Sequence, residues 1–252
     1  MADTKVLTIA VVLCHGVTIL DYQGPMEILE TASINSLTGP WLQSIPGFPK
    51  PKVKFECEFV AESREPIRGT SGPLIVANKT FDEVSSKQFD IIVIPAGAGA
   101  PWTRRTGSRE GDDSGRATAA PTSFDPEDIP KPVAKFVLAQ VPGAQYVFSV
   151  CAGSWVLAAL GLLDGKRATT NKSSFDEIKK STSPAVQWIA KARWVVDGKF
   201  WTSSGVTAGQ DMAYEFLKTV AGKEFATAAK NAAELRATSA DDDEFADVFH
   251  LV

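Results

Sequence analysis

Histidine is the scarcest residue type in this chain: His15 and His250 are the only two among 252 residues. That leaves no credible transition-metal centre and few candidates for an imidazole proton shuttle. Cysteine is nearly as sparse. Cys14, Cys57 and Cys151 form an odd set without C-x-x-C spacing, which argues against a disulfide framework and fits a reducing, cytoplasmic compartment. The 26 basic and 30 acidic residues leave a net charge of only −4, so neither nucleic acid nor an anionic membrane is expected as a partner. No apolar run reaches the length of a membrane span. Residues 6–13 lead into Cys14-His15-Gly16 rather than a small-residue cleavage site, and read as a buried first strand, not a signal peptide. There is no internal repeat.

What the chain does have is 44% hydrophobic content, ample for one α/β domain over residues 1–238. Strands are expected at 6–13, 53–61, 90–95 and 146–150. Helices are expected at 24–32 with Pro25 at the first position, 131–140, 207–220 and 224–238. Hairpins are expected around Thr70-Ser-Gly-Pro73 and over 194–201, the latter with a two-residue Asp197-Gly198 turn. Such alternation implies a mostly parallel sheet with helices on both faces, and ligands bound outside the carboxyl ends of the strands. Residues 101–130, rich in Gly, Ser, Thr, Pro and charge, read as a surface insertion with little to bury. The tail, 239–252, carries Asp241-Asp-Asp-Glu244 and then Phe245, Val248 and Phe249. It is expected either to dock, on the body or on a partner subunit, or to stay disordered.

The most informative stretch is Gln145-Tyr-Val-Phe-Ser-Val-Cys151-Ala-Gly-Ser154. A β-branched, aromatic run ends at a cysteine, three small residues follow, and an apolar helical pattern begins. This is the pattern of a nucleophile elbow, in which a sharp turn between strand and helix carries the reactive side chain. The helix N-terminus is expected to favour thiolate over thiol at Cys151, while Cys14 and Cys57, in strands, stay unreactive. The other reading is a small buried core cysteine.

Five ordered blocks carry a resemblance: Leu20-Asp-Tyr-Gln-Gly-Pro25, Ile94-Pro-Ala-Gly-Ala-Gly99, Ser149-Val-Cys-Ala-Gly-Ser154, Gly161-Leu-Leu-Asp-Gly-Lys-Arg-Ala-Thr-Thr170 and Ser204-Gly-Val-Thr-Ala-Gly-Gln-Asp211. Together they resemble the ThiJ/PfpI superfamily, flavodoxin-like relatives of class I glutamine amidotransferase domains, and most closely its isonitrile hydratase-like branch. The resemblance implies a flavodoxin-like sandwich, a homodimer and a reaction without cofactor on a small-molecule substrate. It places Asp21, in the first strand–helix loop, beside the Cys151 sulfur, where like charge would raise its pKa and fit it for proton transfer near neutrality. Read from the residues alone, Asp21 is equally a helix cap. The backbone N–H groups of Gly97 and Ala152 are implied donors to an anionic intermediate.

Two departures stand out. Relatives often carry His after the Ala-Thr-Thr block, where this chain has Asn171, and isonitrile hydratases usually present Thr where it has Ala152. A Cys–His–acid triad at the family positions is therefore impossible. His15 shares the loop of Asp21 and approaches from another direction, or is an ordinary loop residue. Tyr22, Trp102 and Trp155 are candidate pocket walls, or plain core and surface aromatics. The implied activity is a cysteine hydratase or lyase in which Cys151 attacks an isonitrile carbon and Asp21 handles protons. The alternatives are a glyoxalase or deglycase, whose members normally use the missing histidine, and a non-enzymatic redox sensor or chaperone-like protein whose cysteine is oxidised to sulfinic acid.

Overall fold

A computed structural model of the chain describes residues 4–100 and 124–252. Its strands are β1 (Lys5–Val12), β2 (Val53–Ala61), β3 (Ile67–Arg68), β4 (Leu74–Ile75), β5 (Lys79–Thr80), β6 (Ile91–Ile94), β7 (Tyr146–Val150), β8 (Arg167–Ala168), β9 (Gln187–Trp188), β10 (Trp194–Asp197) and β11 (Phe200–Ser203). The helices are α1 (Ile19–Leu29), α2 (Ile34–Thr38), α3 (Pro40–Gln43), α4 (Lys131–Gln140), α5 (Gly153–Ala159), α6 (Phe175–Ser181), α7 (Ala208–Ala221), α8 (Lys223–Ala232) and α9 (Phe245–Val248). Among the described residues no helix is long and apolar enough to cross a membrane.

Seven strands form one sheet in the order β10-β11-β7-β6-β1-β2-β5, parallel throughout except for β10. Its five central strands, taken in chain order, run 2-1-3-4-5, the flavodoxin-like doubly wound order. Every residue of β6 and all but the first of β7 are buried. Side chains alternate between faces along a strand, so both faces of the sheet must be covered. On one face Tyr146 and Phe148 meet Phe216 of α7, with ring centroids 4.8 and 4.7 Å apart. The strand order reverses between β1 and β6, which puts the ligand crevice of such folds at their carboxyl ends.

Several expected boundaries moved. The first helix begins at Ile19, five residues before the expected start, and Pro25 lies inside it. A helical proline removes the N–H that would bond the carbonyl four residues back, here that of Asp21. Close packing of α1 on α7 offsets that loss: a Cβ on Gly209 would meet Pro25 Cγ at 3.1 Å, and one on Gly24 would meet Gln210 Cγ at 3.0 Å. The last long helix stops at Ala232, and the hairpin turn is Gly198-Lys199, one residue beyond the expected pair.

Of the expected insertion, residues 101–123 lie outside the described residues, whereas 124–130 belong to the body. Phe124 and Ile129 are buried, and Phe124 packs on Trp155 at 5.0 Å between centroids. The tail docks on the body. The Ala240 carbonyl accepts the Arg193 N–H at 2.7 Å, and Asp243 forms a fully buried ion pair with Lys172 at 2.9 Å.

Gly153, the first residue of α5, marks how tightly the elbow is seated. A Cβ there would overlap the Ile94 carbonyl oxygen and stand 2.9 and 3.1 Å from the carbonyl carbons of Ile94 and Pro95. Backbone at the end of a central strand cannot give way. Gly153→Ala is expected to destabilise the fold by about 3 kcal/mol or more, the upper range for overpacking, read by urea denaturation. An unchanged midpoint would show that α5 is not pinned to β6.

Candidate active site

Cys151 sits between β7 and α5 with φ +58°, a left-handed conformation that costs a non-glycine residue energy. Three contacts hold it there. Its N–H donates to the Ser204 carbonyl at 3.0 Å, and its own carbonyl accepts the Thr170 hydroxyl at 3.0 Å and the Ser154 hydroxyl at 3.1 Å. The backbone N–H groups of Ala152 and Val206 donate to the sulfur. The side chain is only 8% exposed. Burial and the neighbouring Asp21 carboxylate push the thiol well above its ordinary value, and the two N–H donors only partly oppose them. This corrects the expectation that the helix N-terminus yields a resting thiolate: desolvation and like charge outweigh the dipole. Burial likewise pushes Cys14 up to about 12, and raises Cys57 with help from the Glu30 carboxylate.

Asp21 lies in the first turn of α1, fully buried. The helix-cap reading fails, because Thr18 holds the N-cap position and the Asp21 carboxyl turns elsewhere. Oδ2 accepts the Ala96 N–H at 3.1 Å, beyond the end of β6. Among the described residues, Oδ1 receives no N–H or O–H. Burial raises the carboxyl from 3.8 to about 7, while the Ala96 N–H and the Cys151 thiol pull it part of the way back. Acid and thiol are thus coupled neighbours, and the negative charge that appears near neutrality rests on the carboxylate rather than on the sulfur.

Gly97 explains how two loops come together. It has φ +144°, and a Cβ there would lie 2.7 Å from Val17 Cα and 2.9 Å from Val17 N. The loop after β6 therefore presses on the loop that leads into α1 and Asp21, an approach only glycine allows.

The remaining expected residues divide. Asn171 is buried with its amide fully used: Oδ1 accepts the Thr170 hydroxyl at 3.2 Å, and Nδ2 donates to Ser173 and Ser174 at 3.0 Å each. The single Thr170 hydroxyl proton thus lies between Asn171 Oδ1 and the Cys151 carbonyl. Tyr22 and Trp155 both belong to the buried core. Tyr22 is 3% exposed and meets Phe59 edge-on at 5.9 Å; Trp155 is fully buried against Phe124. Both are core aromatics, because sheet and helix close over them. His15 is exposed, and its Nδ1 accepts the Arg68 N–H at 3.3 Å. It lines a cavity of about 410 Å³ with Cys14, Glu62 and Gly99, a cavity that neither Asp21 nor Cys151 borders. Trp102 lies outside the described residues.

The Lys172–Asp243 pair had no sequence signal. Lys172 Nζ also donates to Thr169 Oγ1 at 2.9 Å and to the Ala192 carbonyl at 2.8 Å. Burial lowers the Lys172 pKa, and the Asp243 carboxylate opposes that shift. Among the described residues no cluster of three or more His, Cys, Asp or Glu is placed to hold a metal ion.

Against known proteins, a model described as the DJ-1/PfpI family matches residues 124–219. A deglycase of Thermococcus kodakarensis is 31% identical over 160 residues, which cover 62% of this chain and 79% of that enzyme. The chain belongs to the DJ-1/PfpI family. An isonitrile hydratase of Pseudomonas putida is 30% identical over 188 residues, 74% of this chain but 66% of that enzyme, just under two thirds of its length. Among solved structures, a ThiJ/PfpI family protein of Pseudomonas syringae aligns with TM-score 0.65 at 23% identity, over 92% of this chain and 76% of that one. Drosophila melanogaster DJ-1beta aligns with TM-score 0.64 at 18% identity, over 92% and 99%. Those two likenesses are of DJ-1/PfpI fold. The family thus includes named enzymes of two kinds close to this chain, a hydratase and a deglycase.

Proposed function

We propose that this family member is a cofactor-independent hydratase that adds water to a small electrophilic carbon, as an isonitrile hydratase does, with Cys151 as nucleophile and Asp21 as the proton carrier. The observation that carries the reading is the pairing of a strained, buried thiol with a carboxyl raised to about 7, with no imidazole placed between them. A group that titrates near the working pH can both take and return a proton. In this chemistry Asp21 takes the Cys151 proton as sulfur bonds to the terminal carbon of R–N≡C, and delivers it to that carbon, giving the thioimidate R–N=CH–S. Water then adds to the same carbon as Asp21 accepts one of its protons, and the nitrogen is protonated. Expulsion of sulfur releases R–NH–CHO, and the thiol regains its proton. We assign the N–H of Ala152, which meets the sulfur, and that of Gly97 as donors to the negative charge that builds during either addition.

Deglycase activity is the second reading, favoured by the 31% identity to the Thermococcus enzyme. A parallel assay of simple alkyl isonitriles and methylglyoxal, read by chromatography for formamide and lactate, separates the two. Formamide production with little or no methylglyoxal loss is expected. Fast methylglyoxal consumption without formamide would reverse the ranking.

A further inference from the structure

We infer that the C-terminal segment supplies a specificity wall of the substrate site: Phe245 and Phe249 bound a small subsite for the apolar group that the substrate nitrogen carries next to the reacting carbon. The inference rests on the hydratase reading for the position of the carbon, and on the following geometry for the subsite.

A cavity of about 200 Å³ lies between residues 171–173, residues 204–207 and the two tail rings. Cys151 and Asp21 do not border it, but residues on two of its walls also support the nucleophile. Val206, on one wall, gives its N–H to the Cys151 sulfur, and Ser204 accepts the Cys151 N–H. Asn171, on another, shares the Thr170 hydroxyl donor with the Cys151 carbonyl. A cavity this size is below the range of roughly 300–1,000 Å³ that takes a whole drug-sized ligand, so it fits one substituent.

Several of the polar side chains around it are already committed. Arg193 Nε donates to Asp211 at 2.7 Å and Nη2 to Thr207 Oγ1 at 3.0 Å. Asn171 Nδ2 is held by Ser173 and Ser174, and Lys172 by Asp243. The bulkiest apolar side chains that line it are the two rings, 42% and 46% exposed. Phenyl rings beside satisfied polar groups select an apolar, preferably aromatic, partner.

The tail is fixed well enough to serve as a wall. Its anchor, the buried Asp243–Lys172 pair, lies two residues before Phe245, and the Asp243 carboxylate also accepts the Phe245 N–H at 3.0 Å. Ala246 is fully buried, and Lys191 meets Asp247 at 3.1 Å. Phe245 opens the short, pinned helix α9 and Phe249 caps its end, so neither ring sits on a loose end.

The test is a calorimetric titration of the full chain with N-methylformamide and N-benzylformamide, repeated on the Phe245→Ala/Phe249→Ala double variant. The native chain is expected to bind the benzyl compound at least tenfold more tightly than the methyl one, and the double variant to lose most of that advantage. Both rings are half-exposed, so the variant should melt like the native chain. Phe249→Leu, which keeps apolar bulk, should retain an intermediate preference. Equal affinities in the native chain, or a preference that survives in the double variant, would overturn the subsite. Binding needs no turnover. A chain that prefers N-benzylformamide yet hydrates no isonitrile would refute the reaction and leave the subsite standing; one that hydrates methyl and benzyl isonitriles alike and binds both formamides alike would refute the subsite alone.

Discussion

Cys151→Gly is expected to abolish hydration while leaving a chain more stable than Cys151→Ala by about 1 kcal/mol. Both variants remove the sulfur, and loss of a nucleophile should lower turnover on the order of 10⁴-fold or more. They differ at the backbone. At φ +58° an alanine keeps the clash between Cβ and the neighbouring carbonyl that a left-handed residue suffers, whereas glycine has none. The comparison therefore isolates strain from chemistry. The strain is sustained by the contacts around it: the Ser204 and Thr170 bonds to the Cys151 backbone, and the seat of Gly153 on β6. Urea unfolding of the two variants measures it. If alanine proves equal to or more stable than glycine, the elbow is not strained and the case for a purpose-built nucleophile weakens.

The elbow was legible because its determinants are local. A β-branched run, a cysteine, and Ala-Gly-Ser before an apolar helix specify strand, turn and helix without reference to the rest of the chain. The buried central strands were legible for the same reason. What the sequence concealed depends on distant partners. Pro25 looks like a helix start, yet α1 begins at Ile19, and the packing of Gly24 on Gln210 and of Pro25 on Gly209 seats it against α7. Tyr22 and Trp155 carry no mark that separates a pocket wall from a core ring, and the sheet buries both. In sequence the tail leaves docking and disorder both open; what decides between them is Lys172 brought beneath Asp243, a pairing that no spacing rule reveals. Thiol ionisation was misjudged in the same way: a helix N-terminus is visible in sequence, but the burial that overrides it is a property of the folded site.

Asp21→Asn is expected to lower turnover roughly a hundredfold or more and, unusually for an active-site change, to raise stability at neutral pH. The sign follows from the carboxyl's own titration. In the unfolded chain it ionises near 3.8, but in the folded chain only at about 7. A folded pKa above the unfolded one means that, as pH rises from about 4 to 7, the unfolded state gives up this proton first, so stability falls across that window and levels off above it. From 3.8 to about 7 the loss is at most about 4 kcal/mol, by roughly 1.4 kcal/mol per pH unit. Asparagine keeps an oxygen to accept the Ala96 N–H but carries no charge to desolvate. The variant should therefore match the native chain near pH 4 and exceed it near pH 8 in urea denaturation. Its residual rate should also lose the acid limb near pH 7 that a base of that pKa imposes on the native profile. Removing the like charge lowers the Cys151 thiol pKa, so iodoacetamide should label the sulfur faster in the variant at alkaline pH even as turnover falls. Full turnover with an unaltered pH profile in Asp21→Asn would mean that another group carries the proton, and the Cys151–Asp21 mechanism would have to be abandoned.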